Sequence, residues 1–185
     1  MKLEIDSSER RSHDTSHDRL SVLRDAHRTL IALADGADSS QAAQAAAART
    51  VGELGRCFRN GTLPEDPRDW VMMLEAIDLV VLGDRDAGET SALVMLVHED
   101  VVVGASVGDS LAYIVSRGGQ AKMITSRQPR QTRIGTGLAD PVGFGPTPLD
   151  GRLITRRAAR LDAHELPFAA APRAAESTQT TRMLG

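Results

Sequence analysis

The chain has 185 residues, of which 41% are hydrophobic and 3% aromatic, and its formal net charge is −3. This length and composition predict one globular domain with a core of Val, Leu, Ile, Ala and Met. The weak negative charge and the scarcity of aromatic rings argue against nucleic acid or an anionic membrane as a partner. A single cysteine, Cys57, excludes an intramolecular disulfide. With neither a signal-peptide pattern nor a membrane-length apolar run, these features predict a cytoplasmic protein whose one thiol is packed and inert.

The polar first segment, residues 1–16, predicts a mobile N-terminal arm. His13 and His17 are four residues apart and would share one face of a helix, as in some transition-metal sites. A solvated polar arm is the alternative that we favour.

Two short apolar runs, residues 20–23 and 29–34, predict a β-hairpin whose second strand is buried on both faces. That second strand leads directly into Asp35-Gly36. An Asp-Gly pair after an apolar run is typical of a turn. It is also a suitable place for a carboxylate that binds a hard divalent cation, so both interpretations stay open at this point.

Residues 41–58 are rich in alanine and follow Ser39-Ser40, a helix N-cap signal. Asp66-Pro67 predicts the start of a second helix. Its apolar residues recur at helical spacing and predict a core-facing stripe of Trp70, Met73, Leu74, Ile77 and Val81.

The second half of the chain predicts an antiparallel meander of strands at residues 91–97, 101–107, 111–115 and 120–125. A long loop rich in Gly and Pro follows over residues 126–147, and its arginines Arg127, Arg130 and Arg133 could meet an anionic substrate. A last strand is expected at residues 152–155. Residues 156–185 predict a disordered tail rich in Arg, Ala and Pro, so the folded domain is expected over residues 17–155.

Five short motifs occur in an order that is similar to one enzyme family. They are His17-Asp18-Arg19, Asp35-Gly36 with its Ala-rich helix, Gly88-Glu-Thr90, Val-Gly-Asp-Ser at residues 107–110, and the loop at residues 134–145. Together they resemble the PPM-type, or phosphatase 2C-like, metal-dependent serine/threonine protein phosphatases. Five motifs in the expected order are more specific than any one motif, because the probability that all five match by chance is the product of five small probabilities.

The resemblance implies an α+β fold, an α/β/β/α sandwich of two antiparallel sheets flanked by helices. It implies two Mn2+ or Mg2+ ions and a metal-activated water that attacks phosphorus, with no covalent intermediate. Asp35 would be the bridging ligand and a catalytic residue, Gly36 would offer its carbonyl, Asp18 would be the nearby acid, and Asp109 would support them. The implied partners are a phosphoprotein substrate and a signalling Ser/Thr kinase, with no nucleic acid and no membrane.

Three departures from the family pattern concern the site. Residues 37–40, Ala-Asp-Ser-Ser, stand where the family usually has Gly-Gly. His13 stands in the place of the family's phosphate-binding Arg, and His17 in the place of its Glu or Gln. Residues 156–159, Arg-Arg-Ala-Ala, stand where a second Asp-Gly motif is expected. They predict a domain that is truncated or frameshifted at its C-terminal end and that binds one ion or none. A phosphatase, a catalytically impaired binding module and a defective remnant are therefore all open.

Overall fold

The computed structural model describes residues 17–116, 119–128 and 132–155, together with the backbone of strands at residues 4–8, 156–157 and 180–184. Within these residues the elements in chain order are β1 (Glu4–Ser8), β2 (Asp18–Arg24), β3 (Arg28–Gly36), α1 (Gln41–Arg59), α2 (Pro67–Leu82), β4 (Thr90–His98), β5 (Val101–Val107), β6 (Ser110–Ser116), β7 (Ala121–Met123), β8 (Val142–Pro148), β9 (Gly151–Arg157) and β10 (Thr180–Leu184).

Two antiparallel sheets face each other and form the centre of the fold. The larger sheet has the strand order β2-β3-β4-β5-β8 and the smaller has the order β7-β6-β9. Because successive side chains of a strand point to opposite faces, Ile31, Leu33 and Leu93 lie between the sheets, where they pack with Ala112 and Leu153. The predicted α+β class with two antiparallel sheets is confirmed.

Both described helices cover the outer face of the larger sheet. The alternate residues Leu30 and Ala32 of β3 share one core cluster with Leu54 of α1 and with Trp70 and Leu74 of α2. Helix α1 lies over β2, β3 and β4, and α2 lies over β5 and β8. The helices begin where the sequence predicts, since the Ser40 hydroxyl accepts from the Ala43 N–H at 3.1 Å and Pro67 opens α2 after the Asp66 cap. The described residues therefore form α/β/β layers, and the second helical layer of the predicted sandwich is not among them.

The predicted meander is wrong at one connection. β5 and β6 do not pair with each other but belong to different sheets, β5 to the larger and β6 to the smaller. The chain crosses between the sheets at Gly108, whose φ of +91° is readily adopted only by glycine. This crossing cannot be recognised from alternation alone, since both strands have the same local pattern.

The predicted loop at residues 126–147 also contains an unexpected strand. β8 pairs with β5 at the edge of the larger sheet, with an irregularity in register between Val102 and Gly104. Its sequence is rich in Gly and Pro, which normally argues against a strand, but an edge strand tolerates proline on its unpaired side. Gly143 serves this packing, because a Cβ there would lie 2.6 Å from the Pro67 carbonyl oxygen of α2.

The two terminal segments contribute one pair of strands. β1 pairs antiparallel with β10, and these strands lie in the segments that we predicted to be a mobile arm and a disordered tail. The remainder of both segments, with His13, is outside the described residues, so the domain boundaries after residues 16 and 155 stay predictions. In the part of the chain that the structure describes, no helix is long and apolar enough to cross a membrane.

The β2–β3 hairpin carries a pH-dependent contact that can be tested. One Asp25 oxygen accepts the backbone N–H of His27 at 2.9 Å and of Arg28 at 2.7 Å, and the other accepts the Arg28 guanidinium. The His27 backbone hydrogen bond, with help from Arg28, lowers the pKa of Asp25 to about 2. A lowered pKa means that this stabilisation is present above pH 3.8 and is lost as pH falls towards 2.

We therefore expect Asp25→Ala to lower the free energy of unfolding by roughly 1 kcal/mol at pH 7, a modest effect because the pair is partly exposed. The difference from the wild type should shrink as the pH approaches 2. Urea denaturation at several pH values measures it. A difference that stays constant from pH 7 to pH 2 would show that the charge of Asp25 has no role.

Candidate functional site

Two predicted site residues face each other across neighbouring strands. Asp18, at the start of β2, is the register partner of Asp35 near the end of β3. On its other side Asp35 is the partner of Ser91 in β4. Since directly opposed residues of antiparallel strands have Cβ atoms about 5 Å apart on the same face, these three side chains form one row across the sheet.

This row lies on the face that meets the smaller sheet. Side chains along β3 alternate between the two faces of the sheet, so the Asp35 side chain is on the same face as those of Ile31 and Leu33, which pack between the sheets. Asp35 is only 6% exposed, whereas Asp18 is partly exposed. The site is therefore at one end of the sandwich, with a buried carboxylate inside and a more accessible one at the rim.

The Asp35-Gly36 pair is not a turn. Both residues are part of β3, and Gly36 pairs with Thr90 of β4. Gly36 points to the opposite face from Asp35, where a Cβ would lie 3.1 Å from the backbone of Ala43 in α1. The described geometry thus explains the glycine by close packing of α1 against the sheet, while its predicted carbonyl contact with a metal stays a prediction.

The smaller sheet supplies the other wall of the site. The Ser110 hydroxyl at the start of β6 lies 3.2 Å from the Ser91 hydroxyl, and both are buried. Asp109 immediately precedes Ser110 and is partly exposed, so it lies at the same end of the sandwich as Asp35. Gly108 permits this approach, because a Cβ there would lie 2.7 Å from the Ser91 Cβ. The supporting role of Asp109 stays a prediction.

The segment after Gly36 forms a tight polar turn at the rim. The Asp38 carboxylate accepts the Ser40 N–H at 2.7 Å. Hydrogen bonds from the Ser40 side chain and backbone hold the pKa of Asp38 below its ordinary value, and the charges of His17 and Arg133 contribute. Asp38 is therefore a carboxylate in the charged form at neutral pH, close to His17 and Arg133.

The donor set suits one hard cation better than two. Carboxylate and carbonyl oxygens are the ligands that Mg2+ and Mn2+ prefer. Asp18 and Asp35 supply two carboxylates on neighbouring strands. The described residues contain no group of three or more Asp, Glu, His or Cys side chains arranged to hold a metal ion, so they do not fit the second ion of a two-metal centre.

Asp78 is an important residue that we did not predict. It is 3% exposed on the core-facing side of α2. One of its carboxylate oxygens accepts the backbone N–H groups of Gly135 at 2.6 Å, Thr136 at 3.0 Å and Gly137 at 3.1 Å. The other accepts the N–H of Ala139 at 3.1 Å. We call residues 135–139 the Asp78-bound loop.

A sequence signal for this contact does exist. Asp78 follows Leu74 by four residues and precedes Val81 by three, so it lies on the buried stripe of α2, where an acid needs donors. Gly135 and Gly137 both have positive φ values, which lets their successive N–H groups converge on one anion. The Gly-Thr-Gly stretch therefore binds an internal carboxylate in this fold.

The structure places the other residues that the sequence singled out, namely the cysteine, the loop arginines and the histidines, in different surroundings. Cys57 is a free, partly buried thiol on α1. Arg127 is exposed, and Arg130 lies outside the described residues. Arg133 directly precedes Ile134 and lies two residues before the Asp78-bound loop. His17 is described, and its Nδ1 atom is buried with no hydrogen-bond partner among the described residues, whereas its candidate metal-binding companion His13 is not described.

Comparison with known proteins adds a clear fold assignment. No protein-family model matches the sequence, and no curated protein matches it significantly. Solved structures do match over most of the chain. An arginine-to-glutamate variant of a bacterial serine phosphatase has a TM-score of 0.68 at 22% identity, covering 84% of this chain and 76% of that one.

Two further structures agree with the first. The serine/threonine phosphatase of S. agalactiae has a TM-score of 0.66 at 20% identity, covering 83% of this chain and 78% of the other. RsbX, solved in complex with magnesium, has a TM-score of 0.60 at 13% identity, covering 83% of this chain and 75% of that one. The arrangement of sheets, helices and paired carboxylates described above is therefore built on the fold of the bacterial PPM-type serine/threonine phosphatases.

Proposed function

We propose that this chain is a metal-dependent phosphatase domain that acts on phosphoserine or phosphothreonine in proteins, through a single-cation site at Asp18 and Asp35. The observation that supports it most is the direct register pairing of these two acids on the inner face of a PPM-type fold. The proposed partners are a phosphoprotein substrate and, opposing the domain in signalling, a Ser/Thr kinase.

Asp35 is suited to be the fixed member of the pair. It is almost completely buried, and the strands on both sides hold its backbone. A carboxylate in such a setting keeps its position whether or not substrate is present, which is what preorganised electrostatic stabilisation requires. Asp18, at the open rim, would complete the donor pair and face the incoming phosphoryl group.

Mn2+ or Mg2+ bound between these carboxylates would supply positive charge and lower the pKa of a coordinated water. The protein would contribute the negative pair that selects a divalent cation and the Ser91–Ser110 contact that joins the two sheets beside it. No side-chain nucleophile is needed, in agreement with the packed Cys57.

The test is phosphate release from a phosphoserine peptide in the presence of Mn2+. Wild-type protein should hydrolyse it, and Asp35→Asn should reduce the rate by roughly 100-fold or more, as removal of a main electrostatic group does. Asp100→Asn is a matched control: it makes the same charge change on the exposed turn after β4, at the opposite end of the sheet. Equal rates for Asp35→Asn and the wild type would contradict the proposal.

A catalytically impaired binding module is the second candidate. It is favoured by the absence, among the described residues, of a third metal-ligating side chain beside Asp18 and Asp35. Specific binding of the phosphopeptide without any Mn2+-dependent phosphate release would support this candidate over the first.

A further inference from the structure

The position of Arg133 is fixed by its neighbour Ile134. Ile134 and Thr90 exchange backbone hydrogen bonds of 2.9 and 3.0 Å in an isolated antiparallel bridge. The Ile134 side chain is fully buried in the core between the larger sheet and the helices. Because neighbouring side chains of an extended segment alternate, Arg133 is on the opposite face, which is the face of Asp35 and Ser91.

The bridge also gives the register of this arginine. In an antiparallel pair, the residue before Ile134 lies beside the residue after Thr90, which is Ser91. Ser91 is in turn the partner of Asp35. Arg133 therefore extends the row of Asp18, Asp35 and Ser91 by one position, so that a guanidinium follows two carboxylates and a hydroxyl across the end of the sheet.

The contacts of the Arg133 side chain agree with this position. Its Nη1 atom is 3.8 Å from a Glu89 carboxylate oxygen, and its side chain is 22% exposed while that of Glu89 is 49% exposed. The Glu89 carbonyl accepts the Ala37 N–H at 2.9 Å, which places this pair beside the segment that follows Asp35. The ion pair is long and open to solvent, so it is weak and can be replaced by a stronger anion.

The backbone that carries Arg133 is held firmly although it is not in a named strand. Asp78 binds the four backbone N–H groups of the loop that begins two residues later. The Thr136 hydroxyl donates to the Arg133 carbonyl at 2.8 Å. An arginine on a fixed backbone loses less conformational entropy when it binds a ligand, which favours tight recognition.

We infer that Arg133 is the residue that binds the phosphoryl group of the substrate. This inference rests on the proposed function of the Asp18–Asp35 site. Glu89 holds the guanidinium when no substrate is present, and a phosphate group displaces Glu89 because a guanidinium binds two phosphate oxygens through parallel N–H donors. Asp78 acts one step further away, as the positioning residue of the loop.

The test is peptide binding, which does not depend on turnover. Fluorescence anisotropy, with a chelator in place of Mn2+ so that the peptide is not hydrolysed, compares a phosphoserine peptide with its unphosphorylated form. Arg133→Ala should weaken binding of the phosphopeptide by about 10- to 100-fold, the range expected for loss of charge-assisted hydrogen bonds. Binding of the unphosphorylated peptide should not change. Arg133→Lys should recover only part of the affinity, because an ammonium lacks the paired donors.

Two controls separate the inference from general damage. Arg127→Ala removes an exposed arginine from the same connecting segment and should leave phosphopeptide binding within about twofold of the wild type, the range of a surface substitution. Glu89→Gln frees the guanidinium and should strengthen phosphopeptide binding by roughly twofold, as expected from removing a weak exposed ion pair. The Mn2+-induced thermal shift should be unchanged in Arg133→Ala, which shows that its fold and its Asp18–Asp35 site are intact.

The outcomes distinguish failure of the inference from failure of the proposed function. Phosphopeptide preference in the wild type that Arg133→Ala removes, without hydrolysis by either protein, supports the inference and contradicts the phosphatase proposal. Hydrolysis with an unchanged KM in Arg133→Ala contradicts the inference and leaves the phosphatase proposal in place. If Arg133→Ala loses affinity equally for both peptides, or if the wild type does not prefer the phosphopeptide, the inference is overturned.

Discussion

Mn2+ should raise the melting temperature of the wild-type chain, and Asp35→Asn should abolish that increase. The reason is that Asp35 and Asp18 form the one closely paired set of carboxylates at the inner end of the described sheet. A ligand at 100 times its dissociation constant stabilises a protein by about 2.7 kcal/mol. For a domain of this size that corresponds to an increase of roughly 5–10 °C. Differential scanning fluorimetry over a Mn2+ titration measures it.

The same titration contains its own controls. Asp18→Asn should also lose the shift, since either carboxylate alone holds a hard cation poorly. Asp100→Asn should keep the shift, because it is exposed on the far turn of the sheet. A full Mn2+ shift in Asp35→Asn would contradict this site. Calorimetry that finds two tight Mn2+ sites in the wild type would contradict the single-cation proposal and would require ligands outside the described residues.

Asp78→Ala should be one of the most destabilising single substitutions in this chain. It removes the acceptor of four backbone N–H groups around a carboxylate that is almost fully buried. Unsatisfied buried donors cost about 1–3 kcal/mol each, and part of this is recovered when water enters the loop. We expect the free energy of unfolding to fall by roughly 3–5 kcal/mol, the upper range for broken buried networks. Urea denaturation measures the change.

Two further variants test the cause of that loss. Glu75→Ala changes an exposed acid on the same helix and should alter stability by no more than about 0.5 kcal/mol. Asp78→Asn keeps an acceptor oxygen but places an amide donor against one of the loop donors, so an intermediate loss is expected. If Asp78→Ala and Glu75→Ala have the same free energy of unfolding, the Asp78 carboxylate does not hold the loop. Asp78→Asn, where it stays folded, should also weaken phosphopeptide binding through Arg133.

Several parts of the fold could be predicted because their signals are local. The β2–β3 hairpin follows from two apolar runs around a short polar turn, and Asp25 closes that turn through its neighbours two and three residues away. The helix starts follow from capping residues adjacent to them, Ser40 and Asp66. The order of the motifs predicts that Asp18 and Asp35 share one site. The structure pairs the two residues directly, and their role as site residues stays a prediction.

Other parts depend on residues that are distant in sequence. β8 was missed because its Gly and Pro residues disfavour a strand locally, while its pairing with β5 is formed by residues about 40 positions earlier. Asp78 was missed because its donors lie 57 to 61 residues later in the chain. Arg133 could not be separated from Arg127 and Arg130 in the sequence, and only the bridge between its neighbour Ile134 and Thr90 shows which face it occupies.

The sequence by itself determined the α+β class, the main helices and most strands, because periodicity, capping residues and turn signals act over a few residues. The tertiary structure alone decided how the strands divide between two sheets, that Asp35-Gly36 continues a strand, and which loop arginine joins the row of Asp18, Asp35 and Ser91. The physical reason is that pairing of distant strands sets sheet membership and register, and register decides which side chains share a face.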